Sequence, residues 1–185
     1  METFADAACT ALQNGETLLY PTDTIWGIGC DATNSEAVEK IYKLKQRSDK
    51  KALICLVADL AMLEHLTGPL DEKIKTIALN TKPTTIIYPI VNGLATNLTT
   101  ANGSIGIRIV QDEFCKKLIQ DFGKPIVSTS ANISGNDSPK EYNEIDQLIL
   151  DGVGYIVALR TKEIRTNPST LIYIEADGIL KTLRA

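Results

Sequence analysis

The chain has 185 residues, of which 44% are apolar and 23% are charged, and its formal net charge at pH 7 is −4. This composition is typical of a soluble globular protein, and the length predicts one domain over residues 1–185. The acidic balance excludes a general electrostatic attraction to nucleic acid or anionic membranes, so any RNA contact would need a local basic face.

Cysteine usage and the N-terminal sequence indicate a reducing compartment. Cys9, Cys30, Cys55 and Cys115 are widely separated and form no C-x-x-C pair, which predicts reduced and mostly buried thiols. The N-terminus has no basic stretch followed by an apolar segment, and no apolar run is long enough to span a bilayer. We therefore expect a cytoplasmic protein.

The first half of the chain predicts alternating helices and strands. Helical spacing of apolar residues over 4–14 ends at Gly15, and a second helix is expected to begin at Asn34 or Ser35, both good N-caps. The continuous apolar run 52–57 predicts a strand that is buried on both faces. The other elements expected here are strands over 17–20 and 84–88 and helices over 59–66 and 70–79.

The second half predicts both hairpins and crossover helices. Asn102-Gly103 is a hairpin signal that leads into a strand over 104–109, and the helix 113–122 should end at Gly123. Strands joined in both ways imply a mixed α/β sheet with parallel and antiparallel pairs. The remaining elements expected are a buried strand over 125–128, a helix over 145–150, and strands over 155–159, 171–174 and 179–183, the last two joined at Asp177-Gly178.

A local basic cluster lies between the second helix and the buried strand. The negative end of the helix dipole accounts for Lys40 and Lys43 as solvated cations. The positive charges continue to the start of the strand, however, and a polyanion such as a triphosphate explains that placement better. The cluster has six cations in twelve positions: Lys40, Lys43, Lys45, Arg47, Lys50 and Lys51.

Small polar residues follow a predicted strand in the segment VSTSANISG, residues 127–135. Hydroxyls, an amide and free backbone N–H groups suit the oxygens of phosphate or ribose, and ligands of open α/β sheets bind at such strand ends. An ordinary turn rich in serine and asparagine explains the composition equally well. The side chains concerned are those of Ser128, Thr129, Ser130, Asn132 and Ser134.

The segment YPTDTIWGIGCDA, residues 20–32, matches the dinucleotide pattern G-x-G-x-x-A at Gly27, Gly29 and Ala32. A single match of this kind is weak, and no convincing helix begins within it, so we reject a dinucleotide site. The polar residues after the first strand stay candidates for ligand contacts: Thr22, Asp23 and Thr24.

Arg108 alternates with isoleucines in the strand SIGIRI, which places it on the opposite face together with Gly106. A solvent-facing arginine is common on such strands. The alternative is a guanidinium that binds a carboxylate through two hydrogen bonds, with Gly106 leaving room for the ligand.

Several familiar chemistries are missing from the sequence. It contains no G-x-x-x-x-G-K-[ST] phosphate loop and no recognisable Ser-His-Asp arrangement. The one histidine, His65, is predicted to be structural, and with no clustered cysteines we expect no metal-binding residues.

In chain order, PTDTIWG, KQR…K, SIGIR, STSANISG and PST resemble the YrdC/TsaC/Sua5 family from about residue 15 to the C-terminus. The resemblance implies an open, twisted α/β sheet with a deep, positively lined cavity. It also implies condensation of L-threonine, bicarbonate and ATP into threonylcarbamoyl-AMP and pyrophosphate, with magnesium. The product would pass to a transferase complex that modifies the adenosine beside the anticodon of tRNA.

The resemblance assigns two groups of site residues, with no general base identified. Positioning and cations can stabilise the developing negative charge of such a reaction without a covalent nucleophile. The threonine-binding group is Thr24, Arg108 (on the carboxylate), Ser128 and Ser169. The ATP-binding group is Lys45, Arg47, Lys51, Ser104, Ser130, Asn132 and Arg184.

One departure from the family pattern concerns the start of the buried strand. Longer members have Asn-Pro-Leu and then a histidine, where this chain has Lys51-Ala52-Leu53 and Leu56. Lys51 resembles the short bacterial branch, so the contact of that histidine with threonine is absent or supplied otherwise.

Two alternatives stay open at this point. A non-enzymatic module that binds tRNA or rRNA would need a basic face with interleaved aromatic residues, but only Tyr42 lies near the basic cluster. A carbamoyl-adenylate domain of the hydrogenase maturation type is normally part of a much longer chain. Ligand preference distinguishes the three hypotheses: the synthase would bind threonine with ATP, the module would bind RNA, and the maturation domain would use carbamoyl phosphate. Direct tRNA contact by the enzyme is left open.

Overall fold

The computed structural model of the protein describes residues 2–46, 53–175 and 179–185. Its strands are β1 (Leu18–Pro21), β2 (Trp26–Gly29), β3 (Ile54–Val57), β4 (Thr84–Tyr88), β5 (Ile105–Ile109), β6 (Ile126–Ser130), β7 (Tyr155–Ile156), β8 (Thr170–Ile174) and β9 (Leu180–Arg184). The α-helices are α1 (Glu2–Gln13), α2 (Ser35–Leu44), α3 (Leu60–Thr67), α4 (Glu72–Ala78), α5 (Glu113–Phe122) and α6 (Gln147–Gly152), and a 3-10 helix spans Tyr142–Glu144.

The strands form one mixed sheet in the order β7-β1-β2-β6-β3-β5-β4-β8-β9. Three neighbouring pairs are parallel (β1 with β7, β3 with β5, and β4 with β8), and the other pairs are antiparallel. The predicted mixed α/β class is therefore confirmed.

Pairing between the central strands brings the starts of β2 and β3 and the polar end of β6 to one edge of the sheet. Gly27 of β2 lies opposite Ser130 of β6, and Ile54 of β3 lies opposite Ser128. The beginnings of β2 and β3 and the end of β6 are therefore neighbours. Since β5 runs parallel to β3, it begins at the same edge, and its Arg108 lies opposite Leu56 in the next strand.

Apolar clusters cover both faces of the sheet. Successive side chains of a strand point to opposite faces, and β3 follows this rule: Cys55 and Val57 belong to one buried cluster and Leu56 to the other. The second cluster is built mainly by α1 and α5, which pack against each other. The prediction of a strand buried on both faces is confirmed for β3.

Helix α2 begins where the capping residue predicts. The side-chain oxygen of Asn34 accepts hydrogen bonds from the backbone N–H groups of Glu36 (2.9 Å) and Ala37 (3.1 Å), which have no partner inside the helix. In the second half of the chain, Gly123 ends α5 in the left-handed conformation, with φ of 74°, as predicted.

The connection before β5 differs from the predicted hairpin. β4 and β5 are antiparallel neighbours, but the segment 89–104 joins them rather than a two-residue turn. Asn102-Gly103 closes a local turn instead, in which the Gly103 N–H donates to the Thr100 carbonyl at 2.8 Å. The dipeptide thus marks a turn correctly, but not the length of the loop.

Other differences concern short elements. Strand β2 was not predicted, because its alternating glycines resemble a loop motif more than a strand. The strand expected over 155–159 covers only Tyr155–Ile156, and the helix expected over 145–150 lies at Gln147–Gly152, capped by the Asp146 side chain. The predicted turn at Asp177-Gly178 lies outside the described residues, although β8 and β9 do form the expected antiparallel pair.

All four cysteines are free and buried, as predicted. In the described part of the chain, no helix combines the length and apolar character that crossing a membrane requires.

Gly29 lies where the sheet leaves no space for a side chain. A Cβ atom there would be 2.4 Å from the Val127 carbonyl oxygen and 2.8 Å from Cε1 of Tyr20. We therefore expect Gly29→Ala to lower the free energy of unfolding by about 1–3 kcal/mol in urea titrations. Gly27→Ala is the matched comparison on the same strand, since its nearest contacts are side-chain atoms at 3.2 and 3.3 Å that can shift. Equal stabilities of Gly29→Ala and the wild type would contradict this account.

Candidate active site

A cavity of about 700 Å³ opens at the sheet edge where β2, β3 and β6 meet. Its described lining carries three cationic side chains (Lys45, Arg108 and Arg184) and no carboxylate. Hydroxyl groups make up much of the remaining polar surface: those of Thr22, Thr24, Ser128, Thr129, Ser130, Ser134, Ser138 and Ser169. Such a lining suits ligands that are rich in anionic oxygen.

The cavity gathers most of the site residues predicted from the sequence. Those that line it are Thr24, Lys45, Arg108, Ser128, Ser130, Asn132, Ser169 and Arg184. Ser104 is not among the lining residues. Arg47 and Lys51 lie outside the described residues. Segments that are far apart in the sequence thus meet at one site, although the role of each residue stays a prediction.

Arg108 is withdrawn from solvent, with only 2% of its side chain exposed. Its Nη1 donates to the Thr24 hydroxyl oxygen at 3.3 Å, and its Nη2 lies 3.0 Å from Oδ1 of Asp23. That second contact is an ion pair without the alignment of a hydrogen bond, and Nε has no partner among the described residues. This burial excludes the solvent-facing alternative and leaves donor capacity for a ligand.

The expectation that Gly106 leaves room for a ligand is wrong. A Cβ atom at Gly106 would lie 2.9 Å from Cγ2 of Thr85 and 3.3 Å from Cγ2 of Ile54. The space above this glycine is therefore filled by protein side chains from the two neighbouring strands. Gly106 serves close packing of the sheet, and it does not line the cavity.

The turn between β1 and β2 presents Thr24 to Arg108. The Thr22 hydroxyl oxygen accepts from the backbone N–H groups of Thr24 (3.0 Å) and Ile25 (3.2 Å), and it lies 2.9 Å from the Thr24 hydroxyl oxygen. Hydroxyl bonds of this local kind fix a turn. Arg165 adds a second restraint, because its Nη1 donates to the Thr22 carbonyl. Thr24 is thereby held 8% exposed at the cavity wall.

Lys45 holds the loop that follows β6. Its ammonium donates to the carbonyl oxygens of Ser130 (2.6 Å) and Asn132 (2.7 Å), and its own carbonyl accepts from the Ser134 N–H at 3.0 Å. Only 2% of this lysine is exposed. Part of its charge is thus used inside the protein to shape the loop, a use that the sequence pattern did not reveal.

The opposite wall of the cavity precedes β8. The hydroxyls of Ser169 and Thr85 lie 2.8 Å apart, and Ser169 is 5% exposed. Arg184, exposed on β9, donates from Nε (3.0 Å) and Nη2 (2.9 Å) to the Ser169 carbonyl. It therefore stabilises the wall from the rim of the cavity.

Two residues singled out in the sequence lie away from the cavity surface. The Ser104 hydroxyl lies 2.7 Å from that of Thr100 and donates to Asn102 Oδ1 at 3.0 Å, so it closes the loop before β5. Leu56, at the position of the family histidine, is fully buried in the cluster formed with α1 and α5. No polar side chain from that position contacts the cavity.

Two buried groups that interact electrostatically with Arg108, the Tyr20 phenol and the Cys115 thiol, are not activated as nucleophiles. Burial raises the pKa of the Tyr20 phenol far above its ordinary value, with smaller contributions from neighbouring groups. Burial, followed by the charge of Asp112, raises the pKa of the Cys115 thiol. Both groups therefore stay protonated at neutral pH. Within the described ranges, no three His, Cys, Asp or Glu side chains are grouped to hold a metal ion.

Apolar residues of the lining were missed from the sequence. Ile25, Leu53 and Ile54 contribute to the cavity wall beside the polar groups. For Ile54 a signal did exist, since the period of two along β3 places it on the face opposite Cys55. For Ile25, only the shape of the preceding turn determines the position.

The Sua5/YciO/YrdC family model, described as "Telomere recombination", matches residues 10–185. The chain belongs to this family. Two curated relatives of this family member are named threonylcarbamoyl-AMP synthase. The protein from Pseudoalteromonas translucida is 35% identical over 156 residues, covering 82% of this chain and 83% of the relative. The protein from Photobacterium profundum is 33% identical over 176 residues, covering 93% of this chain and 95% of the relative.

A solved structure supports the same family assignment. The crystal structure of P. abyssi Sua5 complexed with L-threonine superposes with a TM-score of 0.81 at 25% identity. The match covers 97% of this family member but 53% of the Sua5 chain, so the present sequence spans about half of that protein. The resemblance to the YrdC/TsaC/Sua5 family and the predicted fold class are therefore confirmed.

Lys45 should contribute strongly to the stability of this site. Lys45→Met keeps the length and the apolar stem but leaves two partly buried carbonyls without their cation, so we expect the free energy of unfolding to fall by about 2 kcal/mol. Lys43→Met is the matched control at the same helix end, where the side chain is exposed, and it should change stability by less than about 0.5 kcal/mol. Urea titrations compare the two variants, and similar losses in both would refute the role of Lys45.

Proposed function

We propose that this family member is an L-threonylcarbamoyladenylate synthase, a nucleotidyltransferase that converts L-threonine, bicarbonate and ATP into threonylcarbamoyl-AMP and pyrophosphate. The observation that carries the proposal is the buried Arg108 guanidinium in a cavity whose described lining has cations and hydroxyls but no carboxylate. All three substrates carry anionic oxygens at neutral pH. The names of the curated relatives agree with this activity.

L-Threonine is assigned to the part of the cavity around Arg108. A guanidinium can bind a carboxylate with two parallel hydrogen bonds, and its burial strengthens them. Thr24 lies beside Arg108 and offers a hydroxyl at the same wall. Ser128 and Ser169, both 5% exposed, complete the polar surroundings that we assign to the amino acid.

ATP is assigned to the end of β6, to the loop that follows it, and to the basic cluster found in the sequence. Ser130 is the last residue of β6, and Asn132 lies in the loop that follows. Lys45 binds the carbonyl oxygens of both, so the polar groups of this part of the cavity are held in a fixed geometry. Arg47 and Lys51 are proposed as phosphate ligands on their sequence positions alone. Arg184 is proposed at the rim, while Ser104 would need a rearrangement of its loop to contact the nucleotide.

Magnesium enters this proposal with the nucleotide, as part of a magnesium–ATP substrate. Mg²⁺ is commonly bound through substrate phosphates with few protein ligands. The described residues provide no cluster that would hold it in the absence of ATP.

The reaction needs positioning and charge stabilisation more than a nucleophilic side chain. The threonine amine nitrogen bonds to the carbon of bicarbonate, water leaves, and a carbamate forms. A carbamate oxygen then attacks the α-phosphorus of ATP, and pyrophosphate leaves with the electrons of the broken bond. Both steps place negative charge on oxygen, which the cations and hydroxyls of the cavity would stabilise.

The product is proposed to serve tRNA modification. A threonylcarbamoyl group activated on AMP would pass to a transferase complex that forms threonylcarbamoyladenosine in tRNA. Direct contact of this chain with tRNA and a cytoplasmic location belong to the same proposal.

Pyrophosphate release tests the reaction directly. We expect purified protein to release pyrophosphate from ATP only when L-threonine and bicarbonate are both present, with each single omission as a control. Adding carbamoyl phosphate in place of threonine and bicarbonate should give no release. A folded protein without threonine-dependent release would contradict the synthase assignment, and RNA binding would then be tested by filter retention.

Arg108→Lys tests the carboxylate assignment. Lysine keeps the charge but lacks the planar pair of donors, so we expect the KM for threonine to rise about 10–100-fold while the KM for ATP changes less than about twofold. Lys116→Ala removes an exposed cation of α5 that does not line the cavity, and it should leave both constants unchanged. Equal effects of Arg108→Lys on both substrates would exclude a specific carboxylate contact.

A further inference from the structure

A second cavity, of about 410 Å³, lies behind the turn that holds Arg108. Asp23 lines this second cavity but not the first, and Arg108 lines only the first. Thr24 contributes to both. The turn between β1 and β2 therefore separates the two cavities. The Asp23 carboxylate lines the second cavity, and the Arg108 guanidinium is accessible from the first.

We propose that Asp23 is a positioning residue that orients the Arg108 guanidinium for the carboxylate of the substrate. Its Oδ1 lies 3.0 Å from Nη2 of Arg108, and the two side chains are 10% and 2% exposed. This inference rests on the proposed function for the identity of the amino acid. It adds to the proposed site a residue, Asp23, that does not itself line the first cavity.

The contacts of Asp23 explain how it holds the guanidinium. Asp23 Oδ2 lies 3.4 Å from the backbone N–H of Gln111, just past the end of β5, so the carboxylate is tied to the strand region that carries Arg108. Thr24 restrains Nη1 at the same time. The plane of the guanidinium is thereby defined by two contacts from one turn, while Nε has no partner among the described residues.

The charge of Asp23 has two opposing effects on a bound carboxylate. It repels the ligand, but it also keeps a nearly solvent-free arginine in one arrangement. The second effect should dominate because Arg108 separates Asp23 from the main cavity, and because a buried cation that loses its partner reorganises at a high cost. Bidentate binding depends on that arrangement more than on charge alone.

The test compares binding of L-threonine with that of L-threoninol, which lacks the carboxylate, by calorimetry. We expect Asp23→Asn, which keeps the shape and removes the charge, to weaken threonine binding about 10–100-fold. Threoninol binding and the KM for ATP should change less than about threefold. Asp23→Glu restores the charge, and the second cavity has room for one more methylene, so it should recover threonine binding to within about tenfold of the wild type.

Asp31→Asn is the matched control. Asp31 is also a buried carboxylate paired with a cation, Lys124 at 3.0 Å, but it does not line either cavity. It should leave the preference for threonine over threoninol unchanged. Circular dichroism confirms folding of every variant before binding is measured.

Three results would overturn the inference. They are unchanged threonine affinity in Asp23→Asn, parallel losses of threonine and threoninol, and a wild-type protein that binds no threonine. A wild type that binds threonine in preference to threoninol but releases no pyrophosphate would instead contradict the proposed synthase and leave the positioning role of Asp23 intact.

Discussion

The site depends on a guanidinium that has been taken out of water. A buried charge is costly unless its surroundings compensate it, and here the compensation comes from one turn, through Asp23 and the Thr24 hydroxyl. The Thr22 hydroxyl and Arg165 fix the conformation of this β1–β2 turn. The need to compensate the buried charge of Arg108 thus links β5 to the β1–β2 turn. Two strands, β6 and β3, nevertheless lie between β2 and β5 in the sheet.

Lys45 is a second buried cation whose charge is compensated by protein groups, in this case by backbone carbonyls. The ammonium of Lys45 donates to the backbone carbonyls of Ser130 and Asn132, so it fixes the course of the chain at the end of β6 and into the following loop. A lysine in a basic segment therefore need not be a ligand contact for its loss to damage the site. This distinction separates Lys45 from Arg47 and Lys51, for which the sequence pattern alone supports phosphate binding.

The sequence predicted which segments meet at the cavity better than it predicted the local geometry. The period of two along β5 placed Arg108 on the face opposite the isoleucines, and the polar run 127–135 covers the end of β6 and the loop that follows it, although β6 extends to Ser130 and not only to residue 128. The sequence did not distinguish ligand space from packing space at Gly106, because Thr85 and Ile54 fill that space from neighbouring strands. The partnership of Asp23 with Arg108 was equally hidden, since it depends on sheet order and not on local pattern.

The mixed topology explains why residues so far apart in sequence form one cavity. In a wholly parallel sheet, strand beginnings and strand ends lie at opposite edges. Here β6 runs antiparallel to both β2 and β3, so its polar end lies between their beginnings. The polar groups at the end of β6 and in the loop that follows it thereby meet Lys45, which follows α2. A site for anionic substrates can then be assembled at one edge without a phosphate-binding loop, because the strand directions bring the donors together.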